Sequence, residues 1–357
     1  MTDAAEGSGT MPGASATQPL LRIRGLRVQV TSRHAVVDAI DGIDLDIGRG
    51  EIVALVGESG SGKSMTALSI ARILPPAARV LGGEILLDGQ DLLQLDDHSM
   101  DHVRGSRIAM LFQQPKASLD PTSRIGDQVG ETFRLRGSAS GREVQDRTVQ
   151  LLADVGIPEP AHRAKAYAHQ LSGGMAQRVM IAAAMSGDPE LLIADEPTTA
   201  LDVTVQAQIL RLLRKKSREN GLSMLLITHD LGIVSTVADR VAVMYAGRIV
   251  EVGPTSEIVR EGRHPYTEAL LRSSMLLPGS DGRLFAIPGG PPRPGETVTG
   301  CRFRARCQYA ESLGIADRCE AVEPGLADCC EDHHHCRCWA VESGLLEVQP
   351  LDAGAMP

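Results

Sequence analysis

The sequence lacks any apolar run approaching about 18 residues, and this absence excludes a membrane-spanning helix within it. Residues 1–19 lack lysine and arginine and are rich in glycine, alanine, serine and threonine. That composition is typical of a flexible tail and not of a signal peptide. We therefore expect a soluble, cytoplasmic protein that works at a membrane only by docking on another chain.

Two further absences and the charge narrow the possible functions. No aromatic residue precedes Phe112, and no cysteine precedes Cys301. The formal net charge of −9 at pH 7 argues against nucleic acid as the main partner. Because the chain of 357 residues exceeds one ordinary domain, we expect one large and one small domain.

A glycine-rich motif, GESGSGKS at residues 57–64, fits the pattern G-x-x-x-x-G-K-[ST]. It lies between a predicted strand and a predicted helix, which is the context that a phosphate-binding loop requires. Its glycines let backbone N–H groups turn inward around phosphates, while Lys63 reaches the terminal phosphates and Ser64 offers its hydroxyl to Mg²⁺. The alternative is a glycine-rich turn that happens to carry a lysine. The predicted ATP contacts here are Gly57, Glu58, Ser59, Gly60, Ser61, Gly62, Lys63, Ser64 and Met65.

A second informative stretch covers residues 171–202. Ser172 is a suitable N-cap, and the small residues after it leave the first N–H groups of a helix open to an anion. The apolar residues 191–194 then predict a buried parallel strand that ends in Asp195 and Glu196. Two carboxylates at the tip of such a strand are costly unless a cation or a reaction uses them. An acidic loop after a core strand is the alternative.

Together these segments resemble the ATPase subunit of an ABC transporter. The resemblance runs from about Leu20 to Cys338, and its motifs follow the family's order. The segments similar to the family's signature, Walker B, D-loop and H-loop are LSGGMAQR at 171–178, LLIADEP at 191–197, ALD at 200–202 and LLITHD at 225–230.

The resemblance implies an α/β fold of the P-loop NTPase class. A RecA-like core would carry an antiparallel β subdomain and a helical subdomain, followed by a small Cys-rich C-terminal extension. The expected divisions are a flexible tail at 1–19, a nucleotide-binding domain at 20–262 with its helical subdomain at about 115–188, a C-terminal domain at 263–345 and a second flexible tail at 346–357. The residue patterns predict strands at 52–56, 83–89, 191–194 and 224–228 and helices at 65–74, 144–155 and 205–219.

The resemblance also implies how the residues share the work of ATP hydrolysis. Lys63 and Mg²⁺ would hold the β- and γ-phosphates, with Ser64 and Asp195 orienting the metal. Glu196 would orient the attacking water or take a proton from it, and for this it must lie within hydrogen-bond reach of that water.

Gln113 and His229 are singled out by their positions after predicted strands. The resemblance makes Gln113 the Q-loop glutamine, which touches the metal and the attacking water. It makes His229 the H-loop residue, which contacts the γ-phosphate. From the residues alone, a polar cap and a satisfied strand-end imidazole are the alternatives. The predicted catalytic residues are thus Glu196, His229, Lys63 and Gln113.

The signature would form a second phosphate site, which is redundant in a chain with a single phosphate loop. Members of the family dimerise head to tail, so that each signature completes the partner's ATP site. ATP then binds the closed dimer better than the open one, and this difference can drive a conformational change. We therefore expect a second ATPase subunit, either this chain or a paralogue. The predicted nucleotide contacts therefore also include Ser172, Gly173, Gly174 and Asp202.

The base of ATP lacks its usual partner in this sequence. ABC ATPases usually stack an aromatic ring on adenine in the region of residues 20–47, where this chain has no phenylalanine, tyrosine or tryptophan. His34 could stack instead, and a histidine in a surface turn is the alternative.

The C-terminal part resembles the extension of oligopeptide and dipeptide importer ATPases, which nickel importers share. The matching segments are HPYT at 264–267, IPGGPP at 287–292 and GCRFRARC at 300–307, although HPYT alone could be a helix start with proline at N1. The resemblance implies a peripheral ATPase at the cytoplasmic face of the membrane. It would dock on two transmembrane permease subunits that import peptides delivered by a substrate-binding protein. A nickel importer and a soluble ABC ATPase of DNA repair or translation are the alternatives.

All seven cysteines lie in this extension, beside a run of histidines at 333–335. In a reducing cytoplasm such crowding suggests a metal or iron–sulfur site more than disulfides, and the spacing is not the paired C-x-x-C of a zinc ribbon. Several importers of this family carry an iron–sulfur cluster here, so the resemblance implies a [4Fe–4S] cluster, with zinc and free thiols as alternatives. Its ligands would be Cys301, Cys307, Cys319 and Cys338, with Cys336 competing for the fourth place.

Overall fold

Two β-sheets organise the chain. The computed structural model describes residues 18–32, 35–137, 141–199, 201–274, 284–293, 295–296, 298–329 and 334–346. The described strands are β1 (Leu21–Thr31), β2 (Val36–Ile47), β3 (Ile52–Val56), β4 (Ala78–Leu87), β5 (Gln90–Asp91), β6 (Ile108–Leu111), β7 (Leu191–Asp195), β8 (Ser223–Thr228), β9 (Arg240–Tyr245), β10 (Arg248–Pro254), β11 (Ala327–Asp328) and β12 (His335–Cys336).

Helices cover both sheets and form most of the segment between β6 and β7. The described α-helices are α1 (Lys63–Ile70), α2 (Asp97–Val103), α3 (Pro115–Ser118), α4 (Ile125–Val129), α5 (Glu131–Leu135), α6 (Gly141–Asp154), α7 (Pro160–Arg163), α8 (Gly173–Met185), α9 (Val203–Asn220), α10 (Leu231–Val237), α11 (Thr255–Glu261), α12 (Pro265–Ser274), α13 (Tyr309–Ser312), α14 (Ala316–Ala321) and α15 (Trp339–Glu342). Among the described residues, no helix is long and apolar enough to cross a bilayer.

The larger sheet is mixed, in the order β11-β12-β10-β9-β3-β8-β7-β6. Its strands from β9 to β6 run parallel, which matches their nearly continuous apolar sequences, and β3 and β8 are completely buried. Alternate residues of β3 enter different cores, since Val53 and Leu55 pack in one and Ile52, Ala54 and Val56 in the other. The carboxyl ends of β3, β6, β7 and β8 therefore meet at one edge of the sheet.

The smaller sheet is antiparallel, in the order β2-β1-β4-β5. Its inward side chains, such as Ile23 and Ile43, share one core with Leu55 of β3 and Ile70 of α1. The expected antiparallel subdomain is thus packed directly over the first helix after the phosphate loop.

The C-terminal extension continues the large sheet and shares its core. β12 pairs with β10 through Glu251 and Val252, and β11 pairs with β12. Tyr266 and Phe303 belong to the same buried cluster as Ile52 and Val56. The predicted division at residue 262 therefore falls between parts that are joined in space.

Candidate functional site

The phosphate loop joins β3 to α1 at the carboxyl edge of the large sheet. Its first residue, Gly57, has a φ of 153°, and a Cβ there would lie 2.1 Å from the carbonyl oxygen of Met244. Glycine is therefore required where the loop leaves β3. Gly62 is the N-cap of α1, and Lys63, Ser64 and Met65 begin that helix.

Lys63 lies at the centre of this loop. Its ammonium donates hydrogen bonds to the carbonyl oxygens of Gly57 at 2.8 Å and Glu58 at 2.9 Å. Burial lowers the pKa of Lys63, while the negative charges of Glu196 and Asp195 oppose this shift. The loop thus holds a buried cation facing the carboxylates at the end of β7.

Asp195 ends β7 with one carboxylate oxygen unmatched. Burial raises the pKa of Asp195, and a hydrogen bond with Ser64 opposes this shift. Its Oδ1 atom is buried and has no hydrogen-bond partner among the residues that the structure describes. An unmatched carboxylate oxygen beside a serine hydroxyl is the hard-oxygen donor set that Mg²⁺ prefers, so these residues fit the predicted metal.

Two predicted catalytic residues, Gln113 and His229, contact the carboxylate of Glu196. Gln113 Nε2 donates to Glu196 Oε2 at 2.6 Å, and His229 Nδ1 lies 3.2 Å from Glu196 Oε1. The hydroxyl of Thr199 also donates to Glu196 Oε2, at 2.9 Å. Because β6, β7 and β8 are neighbours and parallel, the residues that follow them converge at this point.

Glu196 is held as a carboxylate. Burial alone would raise its pKa, but hydrogen bonds from Thr199 and His229 outweigh that effect and lower the pKa below the usual value. An ionised carboxylate is the form that can orient a water or accept its proton. Thr199 was not predicted, although its position three residues after Glu196 in a turn is a signal that could have identified it.

The signature residues start α8, as expected from the N-cap pattern. Ser172 Oγ accepts a hydrogen bond from the N–H of Met175 at 3.3 Å. Asp202 caps the neighbouring α9 in the same way, accepting from the N–H of Val205 at 3.0 Å. A Cβ on Gly174 would lie 2.7 Å from Cγ1 of Val205, so the two helix starts are in close contact. Gly173 and Gln113 both line one cavity of about 430 Å³.

A second cavity, of about 340 Å³, is lined in part by Gly60 of the phosphate loop. The start of β2, at residues 36–39, forms one wall, and residues of the extension such as Arg293 and Arg302 form another. His34 lies outside the described residues, so its predicted contact with adenine stays a prediction.

The predicted [4Fe–4S] cluster finds no support among the described residues of the extension. Burial raises the pKa of Cys301 to about 12 and that of Cys338 to about 11, and it also raises the pKa values of Cys307 and Cys319. Within the described ranges, no group of three or more His, Cys, Asp or Glu side chains could hold a metal ion. None of the cysteines in the described ranges forms a disulfide. Cys301 and Cys307 pack against the large apolar core, and the nearby thiols of Cys319, Cys338 and Cys307 add to the rise in the pKa of Cys301.

Comparison with known families agrees with these motifs. The family model for ABC transporters matches residues 40–199. The family model for the oligopeptide/dipeptide transporter C-terminal region matches residues 250–312. The two matches together cover the phosphate loop, the end of β7 and the beginning of the extension.

Individual relatives match over nearly the whole chain. A protein of Brucella ovis named "Putative peptide import ATP-binding protein" is 48% identical and aligns with 90% of this chain and 97% of its own. The dipeptide transport ATP-binding protein DppD of Bacillus subtilis is 44% identical over 90% of this chain and 95% of its own.

Among solved structures, the ATP-binding cassette MJ0796, a dimer in a post-hydrolysis state bound to ADP and Pi, superimposes with a TM-score of 0.60. It is 29% identical and covers 66% of this chain and 98% of its own. This likeness confirms the predicted P-loop NTPase fold. The chain is an ATPase, and it belongs to the ATP-binding subunits of ABC transporters that carry the oligopeptide/dipeptide transporter C-terminal region.

Proposed function

We propose that this chain is the motor subunit of a peptide importer and couples ATP hydrolysis to peptide uptake through permease subunits. The observation that carries the proposal is the convergence of Gln113 and His229 on the ionised Glu196, opposite Lys63, in a chain that also carries the importer-type extension. The names of its relatives, which specify peptide or dipeptide transport, support peptides over nickel as the cargo.

Hydrolysis would use the residues around the end of β7 in separate roles. The loop of residues 57–64 would receive the phosphates on its backbone N–H groups, and Lys63 would neutralise the terminal ones. Ser64 and Asp195, with Gln113, would hold Mg²⁺, which supplies charge stabilisation to the phosphates.

Glu196 would act on the attacking water. Its carboxylate would accept a hydrogen bond from the water and take up a proton, as the new P–O bond forms and the bond from the γ-phosphorus to the leaving oxygen of ADP breaks. Gln113 and Thr199 hold the carboxylate in place, and His229 would face the γ-phosphate from the end of β8.

The partner subunit would complete the site. Helix α8 begins at Ser172, Gly173 and Gly174, and its free N–H groups would bind the γ-phosphate held by the second subunit. Asp202, at the start of α9, would lie at the same interface. The second subunit would be another copy or a paralogue, and both would sit on two permease subunits at the cytoplasmic face of the membrane, fed by a substrate-binding protein.

Reconstitution tests this proposal directly. The chain would be co-expressed with candidate permease subunits, purified by a tag on this chain and placed in lipid vesicles. We expect the permeases to co-purify, and the vesicles to take up labelled peptides but not nickel in an ATP-dependent way. ATP hydrolysis without co-purifying permeases, or nickel uptake without peptide uptake, would contradict the proposal.

A further inference from the structure

Side chains of the C-terminal extension form hydrogen bonds with Glu58 of the phosphate loop. Its N–H donates to the hydroxyl of Tyr266 at 2.8 Å, and its carbonyl oxygen accepts from Lys63 at 2.9 Å. Its carboxylate forms two parallel hydrogen bonds with Arg306, at 2.7 and 2.9 Å. Two of the three polar groups of this loop residue are therefore bound by side chains about 200 or more positions further along the chain.

Arg306 is built into its position. Only 5% of its side chain is exposed, compared with 26% for Glu58. Its Nε donates to the carbonyl oxygen of Pro288 at 2.8 Å, and Nη1 also reaches the hydroxyl of Tyr245 at 3.3 Å. The rings of Tyr245 and Phe303 lie 5.7 and 5.8 Å from the guanidinium carbon. These contacts orient the guanidinium of Arg306 independently of its pairing with Glu58.

The charge of Glu58 explains why the loop needs this contact. A carboxylate within a loop that binds a triphosphate repels the ligand unless a cation neutralises it. Arg306 supplies that cation from the side of the loop and leaves Lys63 available for the phosphates. The bidentate pair also fixes the orientation of the Glu58 carboxylate relative to Arg306. It therefore holds the beginning of the loop, while α1 holds the end.

We propose that Arg306 is a positioning residue for ATP binding, acting through Glu58 on the shape and charge of the phosphate loop. The C-terminal extension is then a part of the nucleotide site and not only an appendage to it. The inference needs ATP binding, which belongs to the family, and it does not depend on peptides as the cargo.

Variants of the full-length chain test the proposal through the dissociation constant for ATP in the presence of Mg²⁺. Arg306→Gln leaves Glu58 charged and unpaired, so we expect binding to weaken roughly tenfold. Arg306→Lys keeps the charge but loses the fork, and we expect about threefold weaker binding. The double variant Glu58→Gln/Arg306→Gln removes both charges, and we expect it to recover to within about threefold of the parent chain.

Arg304→Gln is the matched control. Arg304 lies in the same short 3₁₀ turn, Arg304–Arg306, but pairs with Glu320 at 3.4 Å. We expect its ATP affinity to equal that of the parent. In hydrolysis assays the Arg306 variants should raise KM for ATP and keep kcat within about twofold, because Gln113, Glu196 and His229 are unchanged.

A merely structural role gives a different pattern. It would lower the melting temperature and the active fraction of Arg306→Gln while the folded protein kept its affinity for ATP. If Arg306→Gln does not fold, the comparison of Arg306→Lys with Arg304→Gln decides. Weaker binding by Arg306→Lys supports the proposal, and equal binding overturns it.

Discussion

Two carboxylates, one at the nucleotide site and one at the base of the extension, differ in their burial and in their hydrogen bonds. Glu251, on β10, is fully buried and both of its oxygens are matched. Oε1 accepts from the N–H of Arg263 and from His334 Nε2, each at 2.7 Å, and Oε2 accepts from the N–H of His264 at 2.9 Å. Asp195, on β7, has a buried Oδ1 that lacks any such partner within the described part of the chain.

This difference in hydrogen bonding distinguishes a carboxylate that stabilises the fold from a carboxylate that has an oxygen available to a ligand. A buried carboxylate that accepts hydrogen bonds on both oxygens has nothing left to offer a ligand. An unmatched oxygen on such a carboxylate raises the free energy of the folded state, and a bound cation can lower it again. Unlike either carboxylate, Cys301, Cys307, Cys336 and Cys338 pack within apolar clusters.

The largest effect that tests this contrast is the loss of Glu251. We expect Glu251→Ala to lower the free energy of unfolding by about 3 kcal/mol, because His334 and two backbone N–H groups lose their acceptor. Urea unfolding of the full chain measures it. The control is Glu257→Ala, since Glu257 contacts His334 from a more exposed position. An equal, small loss in both variants would remove the distinction between Glu251 and its neighbours.

Removal of the Asp195 carboxylate should stabilise the fold, in contrast to removal of the Glu251 carboxylate. Without nucleotide or Mg²⁺, we expect Asp195→Asn to raise the free energy of unfolding by about 1 kcal/mol at neutral pH, because a buried unmatched charge is removed. Thermal unfolding in EDTA measures the gain. Addition of Mg²⁺ with ATP should stabilise the parent chain and not the variant.

The pH dependence of that gain follows from the raised pKa of Asp195. A carboxyl group with a raised folded pKa binds its proton more tightly when folded, so its destabilising effect is present above that pKa. The effect disappears as the pH falls from the folded pKa towards the ordinary value of 3.8. The stability difference between Asp195→Asn and the parent should therefore shrink on acidification. A difference that grows would contradict the assignment.

The smallest expected effect concerns Thr199. Thr199→Val removes a hydrogen bond that keeps the pKa of Glu196 low, so the pKa should rise and the acid limb of the hydrolysis profile should move to higher pH. We expect roughly threefold slower hydrolysis at neutral pH, in line with the loss of one hydrogen bond. Thr199→Ser keeps the hydroxyl and should restore both the rate and the profile. A Thr199→Val profile that matches the parent would exclude this role.

Local patterns predicted the elements that carry the site. The strand at 52–56 is confirmed as β3, and the strand predicted at 191–194 extends by one residue to Asp195. The helix predicted at 205–219 spans Val203–Asn220, because Asp202 caps it earlier than the apolar pattern begins. Continuous apolar runs and caps are local features, so a single sequence displays them.

Features that depend on distant pairing could not be predicted in the same way. β4 begins at Ala78, before the predicted 83–89, because its first residues pair with β1. The contact of Arg306 with Glu58 joins positions 248 residues apart, and nothing local marks it. The fate of the cysteines depends on what surrounds each thiol after folding, which spacing along the chain does not reveal.

The hydrolysis rate of the Glu196→Gln variant tests the central claim most directly. If Glu196 is the carboxylate that acts on the attacking water, the variant should bind ATP as tightly as the parent. Its hydrolysis rate should be about one hundredth of the parent rate or lower. Retention of the γ-phosphate on the purified full-length chain can be followed with labelled ATP. Hydrolysis at the parent rate would contradict the account, because the residues gathered at the end of β7 would then not be the catalytic ones.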